Sequence, residues 1–122
     1  MNSLEVDWRE ITIMSAKAEV EAGICGFRTR IEAKSEDSQN VSFLIETDCE
    51  KIRELAERLK VLEPIDAYME IHPGGPSLLM GAVREVLVGC CAGCAVPVGI
   101  FKSMQVAADL ALPKDVVVRI AQ

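Results

Sequence analysis

Two alternating runs separated by a glycine constrain this chain more than any other feature. Over residues 10–22, EITIMSAKAEVEA, the small and apolar Met14, Ala16, Ala18, Val20 and Ala22 take every second place, with Lys17, Glu19 and Glu21 between them. A period of two puts these sets on opposite faces of a strand, one covered and one wet. Gly23 permits a reversal, and Cys25 to Lys34 repeats the pattern, Phe27, Thr29, Ile31 and Ala33 opposing Arg28, Arg30 and Glu32. The pair is expected to form a hairpin in which Arg28 and Arg30 meet Glu19 or Glu21.

The rest of the chain must cover the apolar face. SEDSQN, residues 35–40, reads as a polar turn, and Val41, Phe43 and Ile45 give a third strand. Thr47-x-x-Glu50 has the form of a capping box, followed by Ile52, Leu55, Ala56 and Leu59 at helical spacing. Glu63-Pro64 ends that helix, and IDAYMEI allows a short helical turn before the HPGGPS loop. Ser77 to Val88 suits a second helix whose only charges are Arg84 and Glu85, which predicts burial on several sides. Pro97 fits the first turn of a third helix reaching about Ala111, and VVVRI, residues 116–120, is expected to close the chain as a strand. The expected architecture is α+β: an antiparallel-rich sheet of about four strands with three helices packed on one face, residues 1–122 forming a single domain.

Composition narrows the partners. Thirteen Lys and Arg against nineteen Asp and Glu leave a net charge of -6, which disfavours a protein that grips nucleic-acid phosphates or an anionic membrane. The longest apolar run, Val86 to Phe101, is interrupted by Gly89, Gly93, Pro97 and Gly99 and falls short of a spanning helix. MNSLEVDWRE lacks the basic-then-apolar order of a secretory signal. A cytoplasmic location is expected, where thiols stay reduced and the five cysteines point to metal binding, redox chemistry or burial rather than to disulfides.

Cys25, Cys49, Cys90, Cys91 and Cys94 all fall near the ends of expected elements. Cys25 opens a strand after a glycine turn, Cys49 stands in a first helical turn, and Cys94 just precedes the Pro97 helix. A helix N-terminus offers unpaired N–H groups and a positive dipole end, both of which favour thiolate over thiol. Cys91-Ala-Gly-Cys94 has the C-x-x-C spacing that lets two sulfurs share one metal. If the hairpin tip and the two helix starts converge at one end of the sheet, Cys25, Cys49, Cys91 and Cys94 form a four-thiolate site for zinc or an iron–sulfur cluster, with Cys90 in reserve. Two other readings stay open. Cys94 can act as a sulfur-carrying or redox thiol with Cys91 resolving it, or the cysteines can be inert packing.

Other chemistry-bearing residues are sparse. His72, the only histidine, lies in HPGGP, and that loop lacks the lysine and glycine spacing of a phosphate cradle. Glu50, Glu54 and Glu57 are spaced as a solvated helix face. No Ser-His-Asp set can be assembled, so no enzymatic activity is assigned.

The segments AGICGFRTRIEA, FLIETDCEKI and GCCAGCAVPVGIFKSM together resemble the small four-cysteine proteins with a Thr-Ser-Cys-Pro-Asp (TSCPD) signature, relatives of which occur as tail domains of some cobalamin-dependent ribonucleotide reductases. The resemblance runs from about Gly23 to Leu110 and implies a metal site at Cys25, Cys49, Cys90 or Cys91, and Cys94. Of the signature itself this chain keeps the Cys, followed by Ala95-Val96-Pro97. A weaker likeness, Cys94-Ala-Val-Pro97, is to the Cys-Pro-x-Pro helix start of sulfur carriers and implies a persulfide on Cys94. A protein partner is also expected, and the apolar second helix suggests a homodimer.

Overall fold

The structure is a computed structural model that describes residues 14–72 and 75–122; the expected strand start at residues 10–13 lies outside the described residues. Three eight-residue strands follow one another: β1 (Met14–Glu21), β2 (Arg28–Ser35) and β3 (Asn40–Thr47). They pair antiparallel in chain order, and a two-residue strand, β4 (Ile65–Asp66), continues the sheet beside Asn40 and Val41. The fold is α+β, as the alternation predicts.

Register explains why the alternation was so legible. Ala16 faces Ala33, Ala18 faces Ile31, and Ile31 in turn faces Ile45, so one side of the sheet is apolar across all three long strands. The other side aligns Glu19 with Arg30 and Glu21 with Arg28. Arg30 lies 3.4 Å from Glu19, and Arg28 lies 4.0 Å from Glu19 and 3.9 Å from Glu21. These pairs are exposed, so they fix registration more than they add stability.

Helices cover the apolar side. Helix α1 (Glu50–Leu62) lays Ile52, Leu55 and Leu59 over β3, one residue per turn. The single-turn α2 (Ala67–Glu70) is capped by Asp66, whose carboxylate accepts from the N–H groups of Tyr68 and Met69. Helix α3 (Leu78–Val86) packs on α1 through Leu79, Ala82, Val83 and Val86, and Arg58 of α1 pairs with Glu85 of α3. Helix α4 (Val96–Ala107) crosses β1 and β2 with Val96, Ile100, Met104 and Ala107 inward. One continuous core unites Ile31, Phe43, Leu55, Leu79 and Ile100.

Glu70 is a buried carboxylate with a structural task. It accepts from the Ser77 hydroxyl at 2.5 Å and from the N–H groups of Leu78 and Leu79 at 2.8 and 3.0 Å. It thereby satisfies the orphan donors of the α3 N-terminus, and Ser77 takes the N–H of Met80.

Several expectations are corrected. Residues 116–120 are not a strand of this chain's own sheet; residues 111–122 are exposed throughout and pair with nothing among the described residues. The fourth strand is Ile65–Asp66, too short to show a period. Phe27 is 42% exposed at the hairpin tip, because β2 begins only at Arg28. Helix α4 stops four residues before Ala111, where Asp109 takes a left-handed conformation (φ 61) and the Leu110 N–H returns to the Gln105 carbonyl at 2.8 Å. Helix α3 is shorter than Ser77–Val88 and buries one face; Leu78, Arg84 and Glu85 are exposed.

Taken as one stretch, Gly89–Ala107 is long and apolar enough to cross a bilayer by length and composition alone, with mean hydropathy 1.3. The backbone divides it at Cys94–Ala95 into a short 3-10 helix (Gly89–Gly93) and α4. Helix α4 spends its apolar face on the sheet.

Candidate functional site at the cysteine pole

Strand register brings three separate chain segments to one end of the sheet. Glu21 pairs with Arg28 at the tip of the first hairpin, and Thr29 pairs with Thr47 at the end of β3. The β1–β2 turn and the start of α1 therefore share a pole. Helix α4 approaches the same end of β1, since Gly99 in its first half lies against Val20, next to last in β1, and against Ile31 of β2. A methyl group on Gly99 would stand 2.6 Å from Val20 Cγ2 and 3.2 Å from Ile31 Cδ1, so only glycine lets the helix approach this closely.

Cys25 sits in the turn itself rather than opening a strand. Gly23 and Gly26 flank the turn with φ of 88° and 78°, the Gly26 N–H bonds the Gly23 carbonyl at 2.9 Å, and the Cys25 side chain is exposed. Such positive φ values are open to glycine at no steric cost.

Cys49 is the N-cap residue of α1. The expected capping box is corrected here: Thr47 ends β3, where its hydroxyl is shared between Thr29 Oγ1 at 2.9 Å and the Cys49 N–H at 3.1 Å. No side chain caps the α1 N-terminus, and the half-buried Cys49 packs against the core beside it.

Cys90, Cys91 and Cys94 belong to the 3-10 helix and its exit. The Cys94 N–H bonds the Cys91 carbonyl at 3.1 Å, an i to i+3 bond that folds the C-x-x-C into one turn. Cys91 and Cys94 are half-buried against the core, whereas Cys90 is exposed. Cys94 Sγ accepts from the Val96 N–H at 3.5 Å, within the sulfur hydrogen-bond range, at the first turn of α4.

Electrostatics tie these residues together. Burial pushes the Cys94 thiol above the usual thiol range; the Val96 N–H offsets part of this, and Cys49, Cys91 and Cys25, in that order, push it up further through like-charge repulsion. Among the described residues no group of three or more His, Cys, Asp or Glu is drawn tightly enough to hold a metal ion. Four soft sulfur donors are nonetheless the set that selects zinc or iron–sulfur clusters by chemistry.

One sequence candidate falls outside the pole. His72 is exposed, and α2, which precedes it, starts beside Gln39 at the opposite end of β3. Glu50, Glu54 and Glu57 are exposed along α1 as expected. A groove of about 550 Å³ does lie at the pole, lined by Gly23, Gly26, Arg28, Arg30, Glu46 and Asp48, but Glu19 and Glu21 engage its arginines. Sequence reasoning missed the Val96 N–H on Cys94 and the fit of Gly99. Pro97 signalled the helix start that supplies the first, and nothing local signals the second.

A four-stranded antiparallel sheet with helices on one face defines the class, an α+β fold. Residues 16–120 match a family of unknown function, DUF6951, and the chain belongs to that family. No curated protein and no solved structure is significantly similar to it.

Proposed function

We propose that this protein binds a metal ion or an iron–sulfur cluster through Cys25, Cys49, Cys91 and Cys94, in a structural or regulatory role. The observation that carries the reading is the position of Cys94. Its sulfur is set at the start of α4, folded against Cys91 by the i to i+3 turn, and exposed to the charge of the three other thiols. Left without a cation, Cys94 resists ionisation, through burial first and the neighbouring thiols after it. A bound cation reverses that relation and the thiols ionise onto it. Cys49, Cys91 and Cys94 would supply sulfurs from the two helix starts, and Cys25 the fourth from the hairpin tip. Thiolate ligation would cross-link elements remote along the chain. The resemblance to the TSCPD-signature proteins would imply the same assignment, and a cytoplasmic setting would keep the thiols reduced.

The sulfur-carrier alternative draws on the Val96 N–H at Cys94 Sγ. It requires a free thiolate at neutral pH, and the upward push on Cys94 opposes that. Anaerobic purification followed by metal analysis and a visible absorption spectrum tests the proposal. A stoichiometric metal, lost in Cys94→Ser and kept in Cys90→Ser, is expected. Metal-free protein with an unusually acidic Cys94 thiol supports the carrier instead.

A further inference from the structure

The C-terminal segment has the composition of a strand and no strand beside it. Val116, Val117, Val118 and Ile120 are 53, 64, 74 and 92% exposed, in a run whose backbone bonds nothing among the described residues. A β-branched run of this kind left in water is a template for pairing with another edge. The DUF6951 match continues through it to residue 120.

The same chain offers one long edge. At the β3 side, β4 occupies two positions, while the Phe43 N–H and carbonyl are taken by Glu63 at 3.0 Å and Lys60 at 2.7 Å. At the other side β1 is the outermost strand, eight residues long, with no partner on its outer edge among the described residues. Its inward Ala16, Ala18 and Val20 are only half-buried, whereas Ile31 and Ala33 of β2 are fully covered. The core is therefore unfinished along β1.

We propose that residues 116–120 of each copy add, parallel to β1, to the outer edge of β1 in a second copy, forming a reciprocal dimer. Alternation and charge select this register. With Val117 beside Glu19, Val116 and Val118 fall beside Ala18 and Val20 on the helix-covered face, and Ile120 beside Ala22. On the open face Asp115 falls beside Lys17 and Arg119 beside Glu21, two opposite-charge pairs. The antiparallel register about the same centre sets Asp115 beside Glu21 and Arg119 beside Lys17, two like-charge pairs, which opposes it. The segment stands exposed along its whole length in its own chain, so the edge it completes is another copy's. The exchange is isologous and closes as a two-fold dimer.

Sedimentation and light scattering on the full chain, reduced and with chelator present to exclude metal bridging, test this. A dimer of twice the 13.3 kDa chain mass is expected. Val118→Pro, which removes a ladder N–H from an exposed segment, is expected to give a monomer with unchanged far-ultraviolet circular dichroism. Arg119→Glu is expected to weaken association roughly tenfold, and adding Glu21→Arg to restore it. Amides of residues 116–120 should be protected from hydrogen exchange only at dimer-forming concentrations. A monomeric wild type, a dimer that survives Val118→Pro, exchange at 116–120 that ignores association, or protection of those amides in the monomer would each overturn the proposal.

Discussion

Replacing Gly99 by alanine sets two known effects against each other at the point where α4 meets the sheet. In a helix interior, Gly to Ala gains about 1 kcal/mol from backbone entropy and propensity. Here the new Cβ would lie 2.6 Å from Val20 Cγ2 and 3.2 Å from Ile31 Cδ1. Both neighbours are β-branched and stiff at χ1, and Ile31 is buried, so the helix must lift or the strand must give. Overpacking of this sort costs about 1–3 kcal/mol, and the larger part of that range outweighs the propensity gain. A net loss of about 1–2 kcal/mol is expected, read as a lower urea midpoint with unchanged slope. Val20→Ala removes the atom in closest conflict. The double variant should then show a favourable coupling of about 1 kcal/mol between the two sites. Because Cys94 sits at the start of the same helix, Gly99→Ala should also weaken metal binding in the proposed site. A Gly99→Ala protein as stable as the wild type, or strict additivity with Val20→Ala, would refute the close-approach argument.

Further outcomes can be checked independently. Glu70→Ala should cost about 2–3 kcal/mol in urea unfolding, since three donors at the start of α3 lose their acceptor. Asp37 accepts from the Asn40 side chain and from the N–H groups of Asn40 and Gln39, which lowers its carboxyl to about 2. Folded below its unfolded value, it contributes stability that is present above about pH 4 and lost as pH falls toward 2; a carboxyl carbon titrating by NMR near pH 4 would contradict this. Glu63, pushed up by burial against the opposing effects of the Phe43 N–H and Lys60, should tolerate Gln at neutral pH, while Glu63→Ala strands the Phe43 N–H and should cost about 1–3 kcal/mol by the same unfolding assay. In reduced, metal-free protein, mass spectrometry of alkylated peptides should find the exposed Cys25 and Cys90 modified before Cys94.

The first three strands and the helices over them were legible because each carries its burial in its own spacing. β1 and β2 alternate, and α1 repeats Ile52, Leu55 and Leu59 at one face. Where a strand's existence depends on an edge elsewhere, local pattern misleads: VVVRI has strand chemistry without a partner in its own sheet, while Ile65–Asp66 has a partner and almost no pattern. The cap at Cys49 was misplaced by two residues because Thr47 already serves the sheet as the partner of Thr29. The places of Cys49 at the start of α1 and of Cys94 just before α4 could be read from the expected element ends. The rank of the other thiols' influence on Cys94 could not, since it depends on tertiary separations that no spacing encodes.

Titration of the reduced, metal-free chain with Co(II), following the thiolate charge-transfer and ligand-field bands, most directly tests whether these sulfurs act together. One ion per chain in a tetrahedral, all-sulfur environment is the expected result, with affinity falling as the pH is lowered because protons compete for the thiolates. Serine at position 25, 49, 91 or 94 should each change that spectrum, and serine at position 90 should leave it intact. A chain that takes up no cobalt, or that binds it equally well without Cys94, contradicts the account.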